Sequence, residues 1–558
     1  MRSLKEYLTD RRLTRLEGDL KMLNNRLQFN PLKLTAKIGE ESITKFSDKI
    51  AEYKVWSSGD AVKIREYYFK NYGDYDSLHY FWRNAPATSL KKHTGIPALI
   101  SHKMGYILFG NGIDIEVLAY DEAGNKSDEV TAYIREELLT LYSKLEMEQK
   151  LQDGATTESW GGEVFFKLSV DNTLSDYPIL EVADITRGRV YKDRGITKEI
   201  RFPTYYKKKD QNYRLDEVYS TIQDQESKFY GDACIYYKLY KLNVVDNKEE
   251  EIPLSTIPET AYIDEEVKVF EGIKGLLAFA KPNKKSLMFT DSDYGASDYE
   301  GAIDSFDAMD EAYSTIFKEL RTNRTVRYIP KDMIPKTPDG FILNDNFTDA
   351  YVQVESDIDQ NSKSEITFSI IPDKTESHKA KFLTALTTAL NKAGLSPYAI
   401  GITGLESVNA SAESQQERNK VTLETRKAKM EVWKPFIEEM LIKILQLNDW
   451  MVRNKLVNQP AYKDNNIKWE NIEVQVSFGD YIVETENNII TSVANQMSAG
   501  VISTETALKE IHPDWNDEQI LEEVNRIRYE KGMALDTPDS LPELTGIVEE
   551  DGNEQEQQ

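Results

Sequence analysis

The sequence has a single cysteine, Cys234, among its 558 residues. One thiol excludes an intrachain disulfide and any zinc site built from several thiolates, and it fits folding in the cytosol. The residue patterns of zinc proteases (H-E-x-x-H), P-loop nucleotide sites (G-x-x-x-x-G-K-[ST]) and serine nucleophiles (G-x-S-x-G) do not occur. Cys234 lies in an apolar strand pattern, which indicates a buried, unreactive thiol. We therefore expect no catalytic residues, no metal and no cofactor.

Long apolar runs and a basic surplus are missing as well. No run of about 18 apolar residues occurs, and the first 20 residues have no apolar core of signal-peptide length. We expect neither a membrane span nor a secretion signal. The chain carries 69 basic and 95 acidic residues, a formal net charge of -26. DNA phosphates would repel such a chain, so a broad sequence-reading face is excluded, although DNA could still pass close by.

Apolar periodicity predicts helices in the first part of the chain and strands in the middle. Residues 1–44 are expected to form a helical arm, because Leu13, Leu16, Leu20 and Leu23 share one helical face. Further helices are predicted over 58–72, 96–110 and 128–152, and a strand over 113–120. Alternating Val, Ile, Tyr and Phe predict six more strands, over 163–170, 179–185, 189–191, 200–207, 216–222 and 233–245.

The second half is predominantly helical. Helices are predicted over 298–321 and 377–393, separated by proline-punctuated short strands. A glycine-interrupted stretch then leads into one very long helix over 411–455, bent at Pro435 and about 65 Å in length. A strand over 467–482 and short helices over 484–532 follow. The acidic tail after Pro538 is expected to be disordered.

Two charged clusters are candidate sites. Basic residues gather after the helix ending at 321, where they could contact a partner or DNA phosphates, and a solvated loop explains them equally well. Acidic residues precede and begin that helix, where they could hold Mg²⁺ as in a nuclease, and a solvated helix face is the plainer explanation. The basic set is Arg321, Arg324, Arg327, Lys331 and Lys336; the acidic sets are Asp291, Asp293 and Asp298, and Asp304, Asp307 and Asp310.

Three strings resemble those of portal proteins from phages of Gram-positive bacteria. Tyr294-Gly295-Ala296-Ser297-Asp298, continued by Ile303 to Asp307 and Ala312 to Ser314, is similar to the start of their first stem helix. Gly394-Leu395-Ser396-Pro397, followed by Ala410 to Ser414 and Arg418, is similar to the loop and opening turn of their long helix. Trp160-Gly161-Gly162-Glu163 also looks portal-like. The resemblance is strongest from 290 to 455.

The resemblance implies an α+β phage portal fold with a β-rich wing, a two-helix stem, a small α/β clip, a long wing helix and a helical crown. By position, 45–290 and 412–482 would be the wing, 298–322 and 377–394 the stem helices, and 323–376 the clip. Residues 402–412 would be a tunnel loop, 484–533 the crown and 534–558 an acidic tail. The tunnel-loop residues expected to face DNA are Gly404, Glu406, Ser407, Val408, Asn409, Ala410 and Ser411.

The function implied by the resemblance is a ring of about twelve copies at one capsid vertex of the virion, assembled in the host cytoplasm. Double-stranded DNA would pass through it without being read. Expected partners are the terminase large subunit and the head–tail adaptor, both at the clip, and the major capsid and scaffolding proteins, with no membrane involved. Three alternatives stay open: another ring-forming virion part such as a baseplate or tail-sheath subunit, a metal-dependent nuclease, and a cellular scaffold.

Overall fold

In the computed structural model, helices dominate up to residue 161, strands from 163 to 282 and helices again thereafter, which confirms the predicted α+β class. The described residues belong to two units. The large one lies within Met1–Asn409 and Gln415–Tyr481, and the small one within Ala410–Ser414 and Ile482–Gln558. The structure describes residues 40–72, 80–83, 91–120, 126–208, 211–243, 248–289, 294–322, 326–330, 351–354, 367–369, 374–401, 412–457, 469–479, 493–512 and 515–530.

Six helices form the first part of the large unit. They are α1 (Glu40–Ser57), α2 (Ala61–Tyr72), α3 (Tyr80–Arg83), α4 (Ile96–Phe109), α5 (Asp128–Lys144) and α6 (Met147–Gly161), with β1 (Ile113–Ala119) between α4 and α5. The single helix predicted over 128–152 is wrong, because Glu146 has a left-handed φ of 52° and separates α5 from α6. The leucines of the predicted arm lie outside the described residues. Helix α1 was not predicted; it buries Phe46, Ile50, Tyr53 and Trp56 in the core.

Strands β2 to β10 form two antiparallel sheets. One has the order β10-β2-β3; the other has the order β4-β5-β6-β7-β8, with β9 also paired to β7. All six predicted strands of this region are present, and the second sheet extends further into its hairpins than predicted. The bounds are β2 (Glu163–Ser169), β3 (Ile179–Asp184), β4 (Arg189–Asp193), β5 (Ile196–Lys208), β6 (Gln211–Thr221), β7 (Asp232–Asn243), β8 (Lys248–Ile252), β9 (Lys268–Lys274) and β10 (Ala278–Pro282).

The rest of the large unit is built on three helices. These are α7 (Ile303–Thr322), α8 (Thr375–Ala393) and α9 (Ala412–Arg453), which belongs to the large unit from Gln415 onward. Between α7 and α8 lies a small sheet in which β11 (Val326–Pro330) pairs parallel with β12 (Tyr351–Val354) and antiparallel with β13 (Thr367–Ser369). After α9, β14 (Ile472–Phe478) pairs antiparallel with β1. Helix α7 begins five residues later than predicted, because Gly301 has a φ of 76°, which a helix does not allow.

The long helix α9 carries one buried stripe along most of its length. The helix continues through Pro435, whose ring lies at an exposed position. From Trp433 onward the stripe is apolar, and before Trp433 it is polar or basic. In order along the helix the stripe consists of Thr422, Arg426, Lys429, Trp433, Ile437, Met440, Ile444 and Leu447. A stripe that recurs at helical period and is buried along its length makes α9 the central element of the large unit.

The small unit contains α10 (Thr504–Ile511) and α11 (Asp517–Glu530). Its core consists of Leu508, Ile520 and Val524, with Trp515 packed against them. The two helices agree with the short helices predicted in this region. Across the described parts of both units, no helix combines the length and the apolar character needed to cross a membrane.

Candidate functional site: the junction of the long helix and the helix pair

Helices α7 and α8 form an antiparallel pair. His378 Nε2 of α8 lies 3.0 Å from Glu319 Oε1 near the end of α7. At the opposite end of the pair, Lys392 Nζ donates a hydrogen bond of 2.5 Å to the Gly301 carbonyl. Burial falls along the pair, from fully buried Phe306 to Leu320, which is 65% exposed. The pair is therefore rooted in the core where α7 begins and α8 ends, and it leaves the core toward the β11–β13 sheet.

Two of the strings that resemble portal proteins meet at this root. The Asp298 backbone N–H donates to the Ser159 carbonyl at 2.8 Å, and the Asn283 N–H donates to the Gly162 carbonyl at 2.9 Å. A Cβ atom on Gly162 or on Gly295 would overlap the backbone of the other segment. The local reason for glycine at both positions is therefore the close approach of two backbones.

The third string packs against the beginning of α9. Gly394 ends α8 with a φ of 78°, and Thr425 of α9 lies directly against its Cα. Ser396 donates its Oγ hydrogen to Asn419 Oδ1 at 2.8 Å, and its backbone N–H donates to Thr422 Oγ1 at 2.9 Å. The chain is thus fixed on both sides of the segment 402–411, which lies outside the described residues.

Four buried charges lie at the centre of this junction. Glu158 of α6 is fully buried and contacts two lysines: Lys281 Nζ at 2.7 Å and Lys429 Nζ at 3.4 Å. Lys429 also lies 3.2 Å from Asp298 Oδ2. All four side chains are at most 8% exposed. Two carboxylates and two ammonium groups balance, so the cluster, which we call the charge junction, is neutral when all four are ionised.

Neutral hydrogen-bonding groups complete the charge junction. Asn283 accepts from Lys429 Nζ at 2.9 Å and donates from Nδ2 to Asp298 Oδ1 at 3.0 Å. Trp433 donates from Nε1 to Glu158 Oε2 at 3.2 Å. Burial alone would lower the pKa of Lys429, but the carboxylates of Asp298 and Glu158 outweigh burial and raise it. Lys429 is therefore a permanently charged group in the interior.

Arg426, one turn before Lys429 on the same face of α9, is also buried. Its Nε donates to the Ile107 carbonyl at the end of α4 at 2.7 Å. Its Nη2 donates to the Gly479 carbonyl directly after β14. Two successive positions of the buried stripe of α9, Arg426 and Lys429, are thus held by groups from different parts of the large unit. Buried cations with several fixed partners position a helix rather than bind a ligand.

Of the acidic set on α7, Asp307 and Asp310 are hydrogen-bonded to protein groups, whereas the Asp304 side chain is exposed. Asp310 is fully buried and accepts hydrogen bonds from Trp82 Nε1 at 3.1 Å and from Thr94 N at 2.9 Å and Oγ1 at 3.0 Å. His93 Nδ1 lies 2.7 Å from Asp310 Oδ2, the oxygen that also accepts from Trp82. Within the described ranges, no group of three or more His, Cys, Asp or Glu side chains could hold a metal ion. Asp298 lies in the charge junction, while Asp291 and Asp293 lie outside the described residues, so this part of the structure gives the nuclease alternative no support.

The remaining predicted site residues are placed as follows. Cys234 is buried in β7, and burial raises the pKa of its thiol to about 11, which confirms the expected unreactive thiol. Of the basic set, Arg321 lies in the last turn of α7 and Arg327 in β11, where only the backbone is described. Arg324, Lys331 and Lys336 lie outside the described residues. So do all the predicted tunnel-loop residues, namely Gly404, Glu406, Ser407, Val408, Asn409, Ala410 and Ser411.

Sequence reasoning missed the charge junction entirely. One feature could have revealed it: Arg426 and Lys429 lie in phase with Trp433, Ile437 and the later apolar residues of α9. Basic residues on the apolar face of a helix need buried acidic or carbonyl partners. Which acids serve as partners depends on contacts far apart in the sequence, such as Glu158 with Lys429.

Comparison with known proteins gives one family match and several similar solved structures. The phage portal protein family described as SPP1 Gp6-like matches residues 60–536, which include every group of the charge junction. One similar solved chain comes from the virion of a native gene transfer agent particle (11% identity, covering 83% of this chain and 93% of that chain, TM-score 0.33). A second comes from the neck of an empty gene transfer agent particle computed with C6 symmetry (11% identity, covering 74% of this chain and 87% of that chain, TM-score 0.32). A third comes from the neck of a native gene transfer agent particle computed with C12 symmetry (12% identity, covering 74% of this chain and 89% of that chain, TM-score 0.30). No curated protein matches the chain.

Proposed function

The chain belongs to the phage portal protein family, and from this premise we propose that it forms the ring through which DNA is packaged into and ejected from the capsid of a phage-like virion. The family match, which covers all elements from α2 to α11, carries the proposal. The ring would contain about twelve copies, the number that the resemblance to portal proteins implies, joined by one repeated interface as in other closed cyclic assemblies.

Each part of the fold has a proposed place in that ring. The antiparallel pair of α7 and α8 supports their assignment as the two stem helices, because the pair leaves the core and carries a small sheet at its far end. Residues 323–376 would then be the clip. The sheets of β2 to β10, with α9 and the β1–β14 pair, would form the wing, and α10 with α11 the crown. Residues 402–412 would be the tunnel loop.

The charge balance supports passage of DNA without tight binding. A net charge of -26 makes the chain as a whole repel phosphates, and a duplex that has to slide is hindered by any deep basic groove. The proposed tunnel loop is rich in small residues and has Glu406 as its acidic member. Such a segment can adapt to a moving duplex at little energetic cost.

The proposed docking site for other proteins is the clip, which contains Arg324, Arg327, Lys331 and Lys336, with Arg321 at the end of the stem helix just before it. A basic surface on an acidic chain suits partners that bind in succession, because electrostatic complementarity speeds association. We infer that the terminase large subunit and later the head–tail adaptor bind here. The major capsid and scaffolding proteins would contact the wing at the capsid vertex.

Electron microscopy of the purified protein tests the ring directly. We expect rings of about twelve subunits with a central hole. Mass photometry supplies an independent count in solution. If the protein is monomeric under all conditions of salt and concentration, the proposed function is wrong.

Deleting Val408 to Ala412 tests the tunnel loop. We expect intact rings, because Ser396, Asn419 and Thr422 hold the chain on both sides of the deletion. Particles built with the variant should package or retain less DNA, measured as encapsidated DNA per particle. A matched deletion of residues 552–556 in the acidic tail serves as the control. Loss of ring assembly in the Val408 to Ala412 variant alone would contradict the placement of this loop at the channel.

A further inference from the structure

We propose that residues 32–38 of the N-terminal arm fold back over the turn 286–289 of the same chain and cover its exposed side chains, Leu287 and Met288. The inference does not depend on the proposed ring, because it concerns contacts within one subunit. The turn lies between β10 and α7, in the large unit that also contains α1. Residues 32–38, which we call the strap, end two positions before α1 and lie outside the described residues.

The turn presents two apolar side chains on a fixed backbone. Glu300 Oε1 accepts hydrogen bonds from the backbone N–H groups of Leu287 and Met288, both at 3.0 Å. Glu300 Oε2 accepts a third from Ser286 Oγ at 2.8 Å, and Ser286 is itself buried. Leu287 is nevertheless 86% exposed, and Met288 is 48% exposed. Single exposed apolar residues are common on protein surfaces, but two adjacent ones on a backbone held by three hydrogen bonds form a preorganised contact surface.

Helix α1 brings the strap to this turn. Phe289, which follows Met288, packs edge-on against Phe46 of α1, with ring centroids 5.1 Å apart. Phe46 lies six residues after Glu40, the first residue of α1, which corresponds to about 9 Å along the helix. An extended chain spans about 3.3 Å per residue, so the strap is about 23 Å long. This length allows it to return from Glu40 to the level of Phe46 and Met288.

The strap has one apolar face. Its residues alternate strictly between apolar and polar side chains. The apolar positions are Leu32, Leu34, Ala36 and Ile38, and the polar positions are Lys33, Thr35 and Lys37. In an extended segment this period places every apolar side chain on the same side. Pro31 precedes the strap and separates it from the helical leucine spacing further upstream. A segment with one apolar face therefore arrives where the described residues leave an apolar turn exposed.

Charge favours the chain's own arm as the occupant. Residues 1–39 contain nine basic and four acidic residues, in a chain with a formal net charge of -26. Residues 287–317, which begin in the turn, contain eight acidic and no basic residues. Of the two lysines just before the turn, Lys284 lies 3.9 Å from Asp298 Oδ1, which compensates part of its charge. A basic segment tethered beside an acidic region meets it at high effective concentration, and an outside partner would have to displace it.

Disulfide trapping tests the contact in the full-length chain. Cys234, the chain's single cysteine, is buried, and burial raises the pKa of its thiol to about 11, so introduced thiols react without interference. In the double variant Leu34→Cys with Met288→Cys, we expect mild oxidation to form an intramolecular disulfide in most molecules. This disulfide is detected as faster migration on a non-reducing gel and as a linked pair of peptides by mass spectrometry.

The control pair is Leu34→Cys with Leu174→Cys. Leu174 is 76% exposed, but it follows the far end of β2, whose first residue, Glu163, pairs with Pro282 near the turn. The seven residues of β2 place this end about 20 Å farther along the sheet. We expect disulfide formation to be at least tenfold slower in the control. Disulfides between chains, seen as dimers on the gel, would show that another copy's arm covers the turn and would overturn the inference. Equal rates for the two pairs would overturn it as well.

Oxidation of Met288 by hydrogen peroxide gives a second measurement that needs no cysteine. A covered thioether is oxidised more slowly than an exposed one. The variant Leu34→Asp with Ile38→Asp puts charges on the apolar face of the strap, so Met288 should be oxidised several-fold faster than in the wild type, as measured by peptide mass spectrometry. Thr35→Asp, on the opposite face, is the control and should leave the rate unchanged. Oxidation at the same rate in the wild type and the double variant would refute the contact, whether or not the protein forms rings.

Discussion

Asp307 gives the large unit a predictable dependence on pH. Burial raises the pKa of its carboxyl group to about 7, and the neighbouring carboxylates of Asp310 and Glu311 add to the effect. The backbone N–H groups of Phe81 and Trp82 oppose it by hydrogen bonding. The folded protein therefore holds this proton more tightly than the unfolded chain, whose aspartate has a pKa of about 3.8. Stability should fall as pH rises from about 4 to about 7.

The magnitude follows from the two pKa values. Between pH 5 and pH 7.5 the ionisation of Asp307 should cost about 2.5 kcal/mol of folding free energy. Asp307→Asn removes this titration. Over the same pH interval the folding free energy of the variant should therefore fall by this amount less than that of the wild type. The upper limit of pH 7.5 stays below the pKa of Lys91, which burial lowers to about 8 against the opposing effect of the Asp307 carboxylate.

Thermal melting across this pH interval measures the effect. The melting temperature of the variant should fall less steeply with rising pH than that of the wild type. Asp304→Asn is the control, because Asp304 lies one turn earlier on α7 with an exposed side chain. It should melt with the wild-type pH dependence. Identical pH dependence of Asp307→Asn and wild type would refute the burial of an ionisable carboxyl group at this position.

Two further substitutions test the packing of the junction. Trp433→Ala should destabilise the protein by about 4 kcal/mol, because the indole is fully buried and donates a hydrogen bond to Glu158. Val432→Ala is its control: the Val432 side chain is half exposed, so the substitution should change stability by less than about 0.5 kcal/mol. Similar denaturation midpoints for these two would contradict the burial of Trp433. Gly394→Ala should destabilise the protein more than Gly401→Ala. Both glycines have a positive φ, which costs alanine about 1 kcal/mol of stability, but only at Gly394 would the added Cβ atom meet Thr425. Equal melting temperatures for the two glycine variants would show that no clash occurs.

Local patterns predicted strands β1 to β7 and most helices of this chain, but not β8, β9 and β10. Strands β2 to β7 were found because alternating apolar residues match the two-residue period of a sheet with one covered face. The break between α5 and α6 was missed because the sequence there contains neither glycine nor proline. Its trace is a change of phase in the buried residues: Leu141 in α5 and Leu145 directly after it are buried, and so are Met147 and Leu151 in α6. A continuous helix cannot bury both pairs on one face, so packing forces Glu146 into the left-handed region.

The junction itself could be predicted only in part. The strings containing Gly162, Gly295 and Gly394 were recognised as important, but sequence alone does not show that the first two touch. The start of α7 was placed too early because the acidic and small residues from 298 to 302 read as a helix opening. In the structure, Asp298 pairs with Lys429 and Gly301 takes a left-handed conformation. Such contacts join residues more than a hundred positions apart, which no local pattern encodes.

The antiparallel pairing of α7 and α8 has an evolutionary consequence. Since His378 lies beside Glu319, the two ends of the segment 323–374 emerge next to each other from a rigid helical base. A segment whose ends are adjacent can be lengthened, shortened or replaced without disturbing the core that carries it. Related chains could therefore acquire new docking partners by exchanging this segment as a cassette, while the helices beneath it and the charge junction at their root stay unchanged.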